Sequence, residues 1–75
     1  MQRRPLLGMD IRLRLARNIK AARTEKGWSQ EELAEQAELH RTYISGVERG
    51  VRNPTVTVVE KIAVALGVEA GELLR

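Results

Sequence analysis

The 75-residue sequence predicts an all-α fold, five short helices closed around one small core. Three observations carry that prediction. Apolar residues recur at three- and four-residue spacing, the period of an amphipathic helix. Two of the apolar runs begin with a Ser or Thr three positions ahead of a Glu, a pattern that caps helix N-termini. Glycine closes three of the runs, at Gly27, Gly50 and Gly67, where a helix commonly ends.

The first helix is predicted from about Ile11 to Lys26, with Leu15, Ile19 and Ala22 on one face and Gly27 as its stop. The second opens in "WSQEEL", where Ser29 and Glu32 form a capping box and Trp28 is placed to staple onto Leu33. Its inner face is Leu33, Ala34 and Ala37. The third runs from about Arg41 to Arg49, turning Ile44 and Val47 inward before Gly50. "VRNPT" follows as an extended loop, because the residue before a proline avoids helical angles. A second capping box, Thr57 with Glu60, starts the fourth helix, which carries Val59, Ile62, Ala63 and Leu66 inward as far as Gly67. "EAGELLR" makes a final short turn, weakened by Gly71 and held by Leu73 and Leu74.

Composition narrows the function. The chain has no cysteine, so disulfides and thiolate metal sites are excluded and a reducing cytoplasm fits. No apolar run approaches the roughly 18 residues of a membrane span, and the apolar piece of "MQRRPLLGMD" is too short for a signal peptide. Residues 1–9 read as a flexible basic arm, and residues 10–75 as a single domain. Net charge is only +3, but it is banded. Residues 3–26 hold eight basic groups against Asp10 and Glu25, and residues 31–38 carry four acids and no base. Arg41, Arg49 and Arg52 then stand against Glu48. Such banding fits either a mixed solvated surface or a polyanionic partner.

The second and third helices are joined by only about three residues, Glu38 to His40, which makes the pair one rigid unit. This is the spacing of a DNA-binding helix-turn-helix, whose second helix enters the major groove. The unusual composition of "LHRTYISGVERG" then has a reason. Arg41 and Thr42 leave the first turn outward, within reach of base edges, and Ser45 lies one turn further along the same side. Arginine can donate twice to guanine, and threonine offers a hydroxyl and a methyl. Gly46 is expected to let the helix approach the DNA closely.

"SQEELAEQAELHRTYISGVERGVRNPT" resembles the Xre/Cro-type helix-turn-helix family of phage and bacterial repressors. "RTYISGVERG" followed by "RNP" is especially similar to the small controller proteins of restriction–modification systems. The likeness covers about Leu15 to Leu74. It implies a five-helix, lambda-repressor-like DNA-binding domain, usually a homodimer on a partly palindromic operator of double-stranded DNA. By the same resemblance Gln30 holds a phosphate, Arg41 and Thr42 read bases, and Tyr43, Arg49, Arg52 and Asn53 lie along the DNA backbone. One position departs from the pattern. Glu38 stands where the family usually has glycine, in a turn that tends to be left-handed.

Glu48 lies in the last turn of its helix, where the dipole disfavours an anion, so it needs a cation. Arg23 is the expected partner, with the family pattern in support, and Arg52 is the alternative. His40, the single histidine, either caps the third helix or touches phosphate; alone and without cysteine it makes no zinc site. No catalytic set, cofactor or small-molecule ligand is expected. Arg12, Arg14 and Arg17 read either as a solvated face or as further DNA contacts. Val58, Val64 and Val68 exceed what the core requires and, beside Leu73 and Leu74, are expected to form a dimer seam. The rival reading is an antitoxin-like or bridging module that binds protein instead of DNA. RNA binding lacks a stacking platform, since Trp28 and Tyr43 do not form one.

Overall fold

A computed structural model describes residues 10–75, so the expected arm, residues 1–9, lies outside the described residues. Helix α1 spans Ile11–Glu25, α2 Gln30–Ala37, α3 Arg41–Glu48, α4 Val56–Leu66 and α5 Ala70–Leu73. Between them they enclose a core whose most deeply buried side chains are Ile19, Leu33, Ile44, Val47, Ile62 and Leu73. The all-helical expectation is met, with five helices and no strand among the described residues.

Asp10 caps α1 by accepting the Arg12 backbone N–H at 2.7 Å and the Arg12 guanidinium at 2.9 Å. The side-chain bond from Arg12, with the backbone bond behind it, lowers the Asp10 carboxyl from 3.8 to about 2. Leu15, Ala16, Ile19 and Arg23 form the buried stripe of α1. Ser29 caps α2 as expected, its Oγ accepting the Glu32 N–H at 3.0 Å. The Glu32 carboxylate takes a bond from Gln36 Nε2 at 3.4 Å, away from the helix start. Trp28 packs against the core cluster, and Lys26 Nζ stands 4.8 Å from its ring centroid.

The α2–α3 turn is left-handed despite its glutamate. Glu38 sits at φ 59° and ψ 44°, among the described residues the only non-glycine with positive φ. The Leu39 N–H closes back on the Ala34 carbonyl at 2.8 Å, and the Glu38 N–H on Glu35 at 3.2 Å, a Schellman-type helix end. An L-residue in this region carries about 1–2 kcal/mol of strain. Glu38→Gly is therefore expected to stabilise the domain by about 1 kcal/mol, after the added chain entropy of glycine is deducted. In a domain of this size that corresponds to a thermal midpoint about 4–8 °C higher. An unchanged or lower midpoint in thermal circular dichroism would show that the turn is unstrained.

Helix α4 begins earlier than the Thr57–Glu60 signature indicated. Thr55 is the cap, its Oγ1 accepting the Val58 N–H at 3.3 Å, and Thr57 lies inside the first turn with its hydroxyl 3.1 Å from that of Thr55. Thr55 follows Pro54 in extended geometry (φ −71°, ψ 166°), so the helix starts as soon as the proline is passed. At the other end α5 is one turn long and is tied to α1. Asn18 Nδ2 donates to the carbonyls of Leu73 (3.0 Å) and Arg75 (3.1 Å), and Arg14 Nε donates to Leu74 (3.3 Å). These donors reach carbonyls that a helix C-terminus leaves without intrahelical partners.

This packing buries part of the surface expected to form a dimer seam. Leu73 is enclosed in the protein's own core, because the single turn of α5 must cover the space between α1 and α4, so it cannot belong to a surface seam. Val58, Val68 and Leu74 are half-buried against the same core. Of the five residues only Val64 stands free, 68% exposed. Val56, 83% exposed, and Ile11 join it as large apolar groups on the surface. Ile11, Leu15, Pro54, Val56, Val59 and Leu74 line an apolar groove of about 260 Å³.

Candidate nucleic-acid interface

Helix α3 shows two faces. Ile44 and Val47 are buried beneath it, against α1 and α2. Arg41 and Thr42 are exposed in its first turn, Arg49 is exposed at its end, and Ser45 is half-buried between them. A period of 3.6 residues puts 41, 45 and 49 on one stripe with 42 beside it, so the outward placement read from sequence holds for Arg41 and Thr42. The His40 side chain makes no capping hydrogen bond at the start of α3, which removes the capping role offered for it.

What holds α3 in place is a buried ionic clasp. Arg23 Nε and Nη2 donate to the two Glu48 carboxylate oxygens at 2.7 and 2.9 Å, and Nη1 donates to the Trp28 carbonyl at 2.7 Å. The side chains are 10% and 3% exposed. Bonding to Glu48 raises the Arg23 guanidinium above its already high ordinary value, so this cation stays charged. Gln30 Nε2 completes the set by donating to Glu48 Oε1 at 3.1 Å. Four groups from α1, α2, α3 and the α1–α2 link thus converge. The Arg23–Glu48 pair is the one expected from sequence; Arg52 is elsewhere. Gln30, read only as a phosphate holder, also belongs to the clasp.

The structure revises the role of Gly46. A Cβ built there would stand 2.6 Å from Arg52 Cγ and 3.2 Å from its Nε. Gly46 is buried where the Arg52 stem lies across it, so its bareness serves that crossing and leaves no open surface for a groove. Beyond Gly46 the Arg52 guanidinium reaches within 5.7 Å of the Tyr43 ring centroid, a cation–π distance. The chain is brought back for this by the Val51 and Arg52 N–H groups, which donate to the Gly46 carbonyl at 3.0 and 3.3 Å. Gly50, at φ 75°, permits the reversal, and the Leu13 side chain fills the space where a Cβ would stand. Asn53 is exposed just beyond. Arg49 takes another course, Nη1 donating to Ser45 Oγ at 2.7 Å.

Arg41, Thr42, Tyr43, Arg49 and Arg52 are therefore carried by one helix and its following loop, with exposed cations on three of them. Exposed acids Glu31 and Glu35 belong to α2, and Glu38 to the turn after it. Among the described residues no group of three or more His, Asp or Glu is placed to hold a metal, and no helix is long and apolar enough to cross a membrane.

The short link, the packed helix pair and the outward basic stripe define a helix-turn-helix protein, and residues 19–73 match the helix-turn-helix family HTH_3. The chain belongs to that family. It is 54% identical over 65 residues to a hypothetical transcription factor of Neisseria meningitidis serogroup B, an alignment covering 87% of this chain and 61% of that protein. The chain thus spans about three fifths of that relative's length. Among solved structures, the restriction–modification controller protein C.AhdI from Aeromonas hydrophila superposes with a TM-score of 0.80 at 42% identity, over 83% of this chain and 94% of that one. SinR, a master regulator of biofilm formation solved in complex with DNA, superposes at 0.77 with 39% identity, over 81% and 98%.

Proposed function

We propose that this protein is a sequence-specific DNA-binding regulator of transcription, of the restriction–modification controller type, acting in the cytoplasm as a homodimer on a partly palindromic operator. The observation that carries this reading is the pairing of exposure with rigidity in α3. Arg41 and Thr42 are free in its first turn, while the helix beneath them is clasped through Glu48 to Arg23 and Gln30. Arg41 reads guanine by its fork and Thr42 reads the neighbouring base. Tyr43, Arg52 and Asn53 contact the backbone. Gln30 keeps a phosphate role, because its amide has a second hydrogen to give when the first is on Glu48.

The homodimer closes over the apolar surface that the fold leaves uncovered, Val64 on α4 and the groove bounded by Ile11, Val56 and Leu74. Two recognition helices related by a two-fold axis would meet half-sites about one helical turn apart, roughly 10 bp.

Selection of bound sequences from a random duplex pool, followed by titration of the selected duplex at several salt concentrations, tests the proposal. We expect paired, inverted half-sites and an affinity that falls steeply with salt, as phosphate neutralisation requires. A pool that yields no consensus, together with a flat salt response, would favour the protein-binding module. A single unpaired half-site would overturn the homodimer.

A further inference from the structure

The resemblance places Arg49 on the DNA backbone and the outward stripe of α3 places Ser45 at the bases, yet the two side chains are joined. We infer that the roles are exchanged, with Arg49 a second base-reading residue, directed at a guanine, and Ser45 its positioning residue. This rests on the reading of α3 as the groove helix.

The geometry begins with the backbone. Arg49 caps α3 in right-handed helical conformation (φ −90°, ψ −3°), so its side chain leaves the helix on the 41–45–49 stripe and not on the flank. The bond from Nη1 to Ser45 Oγ at 2.7 Å then draws the guanidinium back by about one turn, roughly 5–6 Å, toward the end of the helix that Arg41 and Thr42 occupy. Arg52 shows the contrast. Its stem crosses Gly46 and its charge rests by Tyr43, on the flank of the helix. The two arginines that leave the C-terminal end of α3 are thus sent to different places, each by a specific contact.

The chemistry of the tether agrees. A phosphate is an open target approached by any cation, and an untethered arginine meets it without prior ordering. Base reading needs a guanidinium fixed in plane and in register. With Nη1 engaged by Ser45, the Nε–Nη2 edge still presents two parallel donors, the arrangement that pairs with O6 and N7 of guanine. Drawn back along the stripe, the fork still stands roughly 6 Å along α3 from the level of Arg41. Arg49 should therefore read a position separate from that of Arg41.

The test uses the selected operator and a panel of duplexes in which each base pair is varied singly. Binding is compared for wild type, Ser45→Ala, Arg49→Ala, Arg49→Lys, the Ser45→Ala/Arg49→Ala double variant and Arg41→Ala, with thermal unfolding run on each to confirm the fold. Arg49→Ala is expected to lose about tenfold or more in discrimination at one base pair, distinct from the one affected by Arg41→Ala. Ser45→Ala should lose part of the discrimination at that same base pair. The double variant should be no worse than Arg49→Ala, and lysine should not rescue, since an ammonium has no fork. The inference is overturned if Arg49→Ala weakens every duplex by one common factor and lowers the salt slope by about one, the mark of a phosphate contact. It is equally overturned if Ser45→Ala alters a different base pair, or adds to Arg49→Ala. Should Arg41→Ala also leave all preferences intact, the groove assignment of α3 itself fails; if only Arg41 matters, that assignment stands and the Arg49 role alone falls.

Discussion

Glu48→Ala is expected to cost about 3–5 kcal/mol of folding free energy, because it removes one partner of a buried ion pair and leaves the other charge uncompensated. Arg23 is 10% exposed and loses both of its bonds to the carboxylate, and Gln30 loses its acceptor at the same time. Domains of this size hold on the order of 3–11 kcal/mol in all, so the variant should melt at least ten degrees lower, with a tail of unfolded protein at 37 °C. Urea unfolding followed by circular dichroism measures the loss directly. Glu48→Gln should recover part of it, since its amide oxygen still accepts from Arg23. Replacing both partners together, as Arg23→Met with Glu48→Leu, should be far milder than either deletion, because no unpaired charge then remains in the interior. A Glu48→Ala protein as stable as wild type would show that the clasp does not hold the helix pair.

Arg41→Ala should leave stability unchanged, since the side chain is exposed and not part of the core. Its effect belongs to recognition, a loss of about 1–3 kcal/mol confined to one base pair of the operator and a narrowed ratio between operator and random DNA. Arg52→Ala is the control of opposite kind, since it should weaken all duplexes together and reduce the salt slope. A variant lacking the Arg41 side chain that keeps the wild-type ratio would show that Arg41 does not read a base.

The parts of the fold that were legible in the sequence are those with a local code. Ser29 ahead of Glu32 fixes the start of α2, and Gly27, Gly50 and Gly67 close three helices in positive φ, as their positions after apolar runs implied. That Glu48 needs a cation was legible for a different reason, since an anion in the last turn of a helix is unfavourable until something answers it, and the family resemblance supported Arg23 over Arg52 as that cation. Other features depend on non-local geometry that no spacing encodes. Thr57 and Glu60 satisfy the capping pattern as well as Ser29 and Glu32 do, yet Pro54 lets the helix begin at Thr55. Leu73 gives no sign of its deep burial, because a one-turn helix carries no period from which an inner face can be deduced. Asn18 gave no signal, since an asparagine within a helix is ordinary until carbonyls from another element arrive beside it. Gly46 was noticed, but the side chain it accommodates comes from six positions further along the same chain.

That last contact ties two codons together. Alanine would ordinarily strengthen a helix interior over glycine by about 0.5–1 kcal/mol, yet here its methyl would meet the Arg52 stem before any gain is realised. A lineage that shortens residue 52 is released to add bulk at 46 and harden the helix, and one that keeps the arginine must keep the hollow beneath it. Gly46→Ala should therefore strengthen the helix only in company with a shorter residue 52, helix strength otherwise being forgone in favour of a parked cation.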